Sequence, residues 1–195
     1  MSDQQQQQAP GDPVSRLRQA NEVFLTVLRE VRPEQMTLPT VNDGWDVREL
    51  LNHLVRGNRW TVENLRTGGA PRPTADLIGD RAPLDAYAES AEAMIAAFQE
   101  PGALGRTVQM PFGEMPGAGL AAFRFNDLLA HAWDLAKATG QNTDLAPELC
   151  EIALAASRQR LEGRDRAQSP FKDEVSVPAE ACAADRLAGY LGKQV

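Results

Sequence analysis

Leu120-Ala-Ala-Phe-Arg-Phe-Asn-Asp-Leu-Leu-Ala-His-Ala-Trp-Asp-Leu-Ala-Lys-Ala-Thr139 is an unbroken helix-forming run, closed by Gly140, a residue suited to the left-handed end of a helix. At helical spacing Asp127, His131 and Asp134 project from one stripe, which Phe123 and Leu120 continue. A stripe that mixes these residues with apolar ones faces a bundle interior rather than water. An unpaired aspartate on it would be costly, so the acid needs a partner.

Other helices flank this one. Asp12-Pro13 supplies a cap and a first helical residue, and Leu17, Ala20, Phe24, Val27, Leu28 and Val31 follow at helical spacing until Pro33. Asp46 opens a second helix with Glu49 completing a capping-box-like pair; Val47, Leu50, Leu51, Leu54, Val62 and Leu65 form its apolar arc, and Gly68-Gly69-Ala70-Pro71 ends it. Pro83 starts a third, with Leu84, Tyr87, Ala91, Ile95 and Phe98 inward and Pro101-Gly102 at its end. A fifth runs from about Pro147 to Leu161, and a short terminal one from about Ala183 to Leu191. The segment 163–178 reads as extended, packing Phe171, Val175 and Val177. Residues 104–119 change character and read as an irregular loop or short hairpin, where a site is often walled. The fold class expected is all-α: a four-helix bundle with one or two additional C-terminal helices. Residues 1–11, with the run Gln4 to Gln8, read as a disordered tail, and 12–195 as a single helical domain.

Composition narrows the function classes. Of 195 residues, 20 Lys+Arg against 27 Asp+Glu give a formal charge of −7, which repels nucleic acid. No apolar run approaches the roughly 20 residues of a membrane span. The N-terminus has no apolar signal core, and Cys150 and Cys182 make no disulfide framework, so a cytoplasmic protein is expected.

The chemistry rests on the two histidines, both inside helices. His53 lies at the edge of the second helix's apolar arc, with Gly57 and Trp60 beside it. Gly57 leaves room next to the imidazole. A carboxylate and an imidazole at i and i+4, joined by an imidazole from a facing helix, form a two-His, one-carboxylate set with an open coordination position. The plainer readings are a hydrogen-bonded core histidine and a surface Asp–His pair. Asp134 reads as an acceptor for a ring N–H of a bound histidine or as a structural residue, ahead of a fourth ligand. Arg124, three residues before Asp127, either holds an anionic substrate group or pairs with Asp127; Arg56 poses the same choice beside His53. Trp45, Trp60 and Trp133 read as core, and the cysteines as space-filling.

The segment from Thr40 to His53, with Asn-Asp-Gly-Trp-Asp inside it, and the segment from Asn126 to Gly140 resemble the two metal segments of DinB-like proteins. More narrowly, they resemble the group related to the N-terminal domain of mycothiol-dependent maleylpyruvate isomerase. The endings Val175-Ser-Val-Pro178 and Asp185 to Gly192 are similar to its closing pattern. The resemblance implies a DinB-type bundle with a divalent metal, zinc foremost and nickel or iron as alternatives, on His53, Asp127 and His131. The isomerase has Glu where this chain has Asp127, and carries a second domain for which this chain leaves no room. Implied with it are a small thiol such as mycothiol and an electrophile as partners, a thiol transferase or isomerase activity, and a homodimer. The alternatives are a metal-binding or regulatory protein without turnover and a metal-dependent hydrolase with Asp134 as base.

Overall fold

Asp12 accepts a hydrogen bond from the Ser15 amide at 3.0 Å and Pro13 presets its own φ, so the first helix, α1, begins at once and spans Pro13–Arg29. The computed structural model describes residues 11–163, 166, 172–178 and 180–195. Residues 1–10 of the tail expected over 1–11, and the packing expected of Phe171, lie outside them. Asp46 caps α2, Val47–Thr67, through the Glu49 amide at 2.8 Å. Next come α3, Pro83–Gln99; the strands β1, Thr107–Met110, and β2, Gly113–Pro116; α4, Gly117–Thr139; α5, Pro147–Leu161; and α6, Ala183–Tyr190. Proline occupies the first turn of α1, α3 and α5.

Helix α1 packs on α4 and α3, while α2 packs on α3 and α4. The ring order is therefore α1–α4–α2–α3, and the two histidine-bearing helices are neighbours. Phe24, Leu50, Leu51, Leu54, Tyr87, Met94, Phe98, Leu120 and Trp133 fill the interior. Each large apolar side chain removed from water contributes about 1.5–3 kcal/mol before entropy is counted. The Tyr87 hydroxyl donates to Asn21 Oδ1 at 2.7 Å, satisfying a polar pair between α3 and α1. Helices α5 and α6 pack on each other and on α4, and Trp133 Nε1 donates to Asp185 Oδ1 at 2.7 Å to tie α4 to α6. Val175 and Val177 are half-buried beside Gly189 of α6, and the Val175 amide donates to the Gly189 carbonyl at 2.9 Å.

The segment 104–119 contains the hairpin β1–β2, with Thr107 opposite Pro116 and Met110 opposite Gly113. Helix α4 starts at Gly117, three residues before the Leu120 that periodicity indicated. A Cβ at Gly117 would stand 2.1 Å from the Ala103 carbonyl oxygen, so this glycine serves close backbone approach inside a helix rather than a loop. Among the described residues no helix is long and apolar enough to cross a membrane.

Candidate metal centre

His53 sits in the second turn of α2, and Asp127, His131 and Asp134 lie along α4. One donor atom from each of His53, Asp127 and His131 lies within 4.8 Å of the other two. The imidazole rings meet nearly edge to face, with centroids 5.0 Å apart.

Each donor has a different surrounding. His131 Nδ1 meets Asp134 Oδ2 at 2.8 Å, which leaves Nε2 facing the cluster, 3.5 Å from Asp127 Oδ1. Asp134 is fully buried and also takes hydrogen bonds from Lys193 Nζ at 2.7 Å and Asn42 Nδ2 at 2.9 Å. Asp127 pairs with the Arg124 guanidinium, whose Nη2 donates to Asn58 Oδ1 at 2.8 Å. A Cβ at Gly57 would stand 2.7 Å from Arg124 Nη1. The room left by Gly57 is thus filled by the arginine that holds Asp127. His53 makes no hydrogen bond among the described residues; the Trp45 ring lies against it, centroids 4.7 Å apart.

Charge follows this geometry. Burial, opposed only in part by Asp127, pushes His53 down to about 3, so its imidazole is neutral and has one unprotonated ring nitrogen free to bind a cation. Burial raises Asp127, but Arg124 and both imidazoles outweigh it and hold the carboxyl well below its ordinary range. Burial lowers His131, yet Asp127 and Asp134 more than offset this and the net direction is upward. Burial raises Asp134, and His131 with Lys193 reverses the sign. A neutral imidazole without a partner, an ionised carboxylate and an imidazole held through Nδ1 together fit a divalent cation.

A cleft of about 290 Å³ opens beside His53, lined by Arg56, Gly57, Trp60, Arg72, Pro73 and Thr74. The Arg72 guanidinium stacks on Trp60 at 4.4 Å and has no carboxylate at salt-bridge distance among the described residues. Arg56 pairs with Glu49 and donates to the Thr74 carbonyl at 3.1 Å. A larger cleft, about 770 Å³, lies on the loop before α2 and contains none of the three donors.

Several expectations change here. The wall expected from 104–119 comes from the α2–α3 loop, because the hairpin is tied to the other end of α2 through the Gln109 amide and the Gly68 carbonyl at 2.8 Å. Of the two readings of Arg124, the structure places the pairing with Asp127: the guanidinium is only 3% exposed and faces that carboxylate. Trp133 and Trp60 are core as expected and Trp45 packs against that core, while Trp60 also lines the cleft and Trp45 also lies against His53. Arg72, Asn42 and Lys193 were missed; all three lie outside the helices, where periodicity carries no signal.

Cys150 is buried, donates to the Leu145 carbonyl at 3.1 Å, and burial pushes its thiol up to about 12. Cys182 accepts from the Asp185 amide at the start of α6, and burial also raises its thiol. At pH 8 alkylation of Cys150 by iodoacetamide is expected to run at least about 1,000-fold slower than that of free cysteine. The rate should climb about tenfold per pH unit as the thiolate forms. Mass-spectrometric time courses check this, and a rate that levels off below pH 10 contradicts it.

The family model for the mycothiol maleylpyruvate isomerase N-terminal domain matches residues 17–136, and the chain belongs to that family. Over 189 residues, 94% of this chain and 99% of theirs, it is 38% identical to two Mycobacterium tuberculosis proteins, uncharacterized protein Rv0738 (strain ATCC 25618 / H37Rv) and uncharacterized protein MT0763 (strain CDC 1551 / Oshkosh). Its fold is similar to the crystal structure of mycothiol-dependent maleylpyruvate isomerase, with a TM-score of 0.62 at 16% identity over 74% of this chain and 67% of that one. A histidine-to-alanine variant of that enzyme gives 0.58 at 15% identity over the same shares.

Proposed function

We propose that the protein holds a divalent metal ion, zinc foremost, through His53, Asp127 and His131, and that it serves a thiol-dependent transferase or isomerase reaction on a small electrophile. The observation that carries this reading is the convergence of the three donors within 4.8 Å, on α2 and α4, beside a cleft. Family membership supports a low-molecular-weight thiol of mycothiol type as co-substrate. Bound at this cluster, a divalent ion would supply the positive charge that keeps a thiol sulfur deprotonated at neutral pH.

The chain's own residues divide the remaining work. Asp134 fixes the His131 ring so that Nε2 points at the cluster. Arg124 holds the Asp127 carboxylate ionised and oriented. Arg56 and Arg72 line the approach to His53, and Arg72, the one with no carboxylate partner among the described residues, suits an anionic group on the electrophile. Neither cysteine has a lowered pKa or faces the cluster, so the sulfur nucleophile comes from outside the chain.

Two observations favour this over the alternatives. Among the described residues no fourth His, Cys, Asp or Glu joins the three donors, in keeping with an accessible position rather than a closed structural site. Asp134, the candidate base for hydrolysis, is fully buried with its oxygens committed to Lys193, Asn42 and His131.

Cobalt(II)-substituted protein tests the reading. Addition of mycothiol or another small thiol is expected to produce a sulfur-to-cobalt charge-transfer band, equally in the variant Cys150→Ser, Cys182→Ser. A spectrum unchanged across such thiols would point instead to a metal without thiol chemistry.

A further inference from the structure

Three remote chain segments meet on the side of His131 that faces away from the cluster. Asn42 comes from the loop before α2, Asp134 from α4, and Lys193 from the turn after α6, 59 residues beyond Asp134. The Lys193 ammonium lies 2.7 Å from both Asp134 oxygens and 3.4 Å from Asn42 Oδ1, and its side chain is 13% exposed. This is not a loose surface pair. Asp134 has no exposure, and the Lys193 amide is itself fixed to the Ala188 carbonyl at 3.0 Å. A buried carboxylate with one hydrogen bond to an imidazole can rotate about its last torsion. With an ammonium bridging both oxygens and an amide on one, it is locked.

We propose that Lys193 is a positioning residue of the metal centre, acting through Asp134 to hold the His131 ring with Nδ1–H engaged and Nε2 presented to the ion. The inference rests on the reading of His53, Asp127 and His131 as ligands. It joins the ion's hold on the protein to the closing turn of the chain, and the coupling runs both ways: what helps the ion stay also holds that turn.

The test uses full-length protein and Zn²⁺ competed against a chromophoric chelator. Lys193→Met, which keeps the stem and removes the charge, is expected to weaken zinc about 10- to 100-fold, the range for loss of a ligand's supporting partner. Lys193→Arg should recover part of this. In an Asp134→Asn background Lys193→Met should change zinc affinity less than twofold, because its effect passes through the carboxylate. Cobalt(II) spectra of Lys193→Met should show an altered ligand field, which a general loss of stability does not produce. Should the variant fail to fold, the native protein gives the answer: zinc is expected to slow acetylation of Lys193 but not of Lys172, whose side chain is 70% exposed. Zinc affinity in Lys193→Met within twofold of the native value, additive effects with Asp134→Asn, or acetylation indifferent to zinc would overturn the inference while leaving the metal site standing. Native protein that binds no zinc would overturn both.

Discussion

Replacing His131 by alanine is expected to weaken zinc binding about 100- to 1,000-fold, the share of one of three protein ligands, with His53→Ala falling in the same range. Neither variant should unfold. His53 makes no hydrogen bond among the described residues, so its removal leaves no buried polar group stranded. Removal of His131 leaves Asp134 on Lys193 and Asn42, and Asp127 on Arg124. Calorimetric titration with zinc, alongside melting of the metal-free proteins, measures both quantities. An affinity loss below tenfold in either variant would remove that histidine from the ligand set.

Arg124→Met is expected to cost the metal-free protein about 3 kcal/mol, because it strands the Asp127 carboxylate in a site where that side chain is only 18% exposed. For a chain of this size that is about 10 °C in melting temperature. The same substitution should strengthen the response to zinc. A dication replaces the missing guanidinium charge beside Asp127, so the metal-induced rise in melting temperature should exceed that of the native protein. Gly57→Ala should act in the same direction and more weakly, since its Cβ intrudes on Arg124 without removing the charge. A loss under 1 kcal/mol, or an unchanged zinc response, would show that Arg124 does not balance Asp127.

The helices were readable in the sequence because local physics writes them there. Asp12, Pro13, Asp46, Pro83 and Pro147 mark starts, and apolar spacing marks the buried faces. The stripe Asp127, His131, Asp134 was readable for the same reason: one helix sets the spacing of all three. His53 was matched to them from another helix by chemistry and family-like segments, and the bundle order explains why they meet. Residues supplied by loops and by the chain's end escaped. Lys193 reaches Asp134 through the turn after α6, and Arg72 reaches Trp60 through the α2–α3 loop; neither position obeys a period. Gly57 marks space in the sequence, but only the packing of α4 on α2 shows that Arg124 fills it. Residues 117–119, counted with the loop in the sequence, belong to α4, and Gly117 there suits a close contact with Ala103.

Metal content bears most directly on the ligand set. Purified protein loaded with zinc and freed of excess should retain about one ion per chain, while the double variant His53→Ala, His131→Ala, folded by circular dichroism, should retain essentially none. Full metal content in that double variant would contradict the assignment of His53 and His131 as ligands.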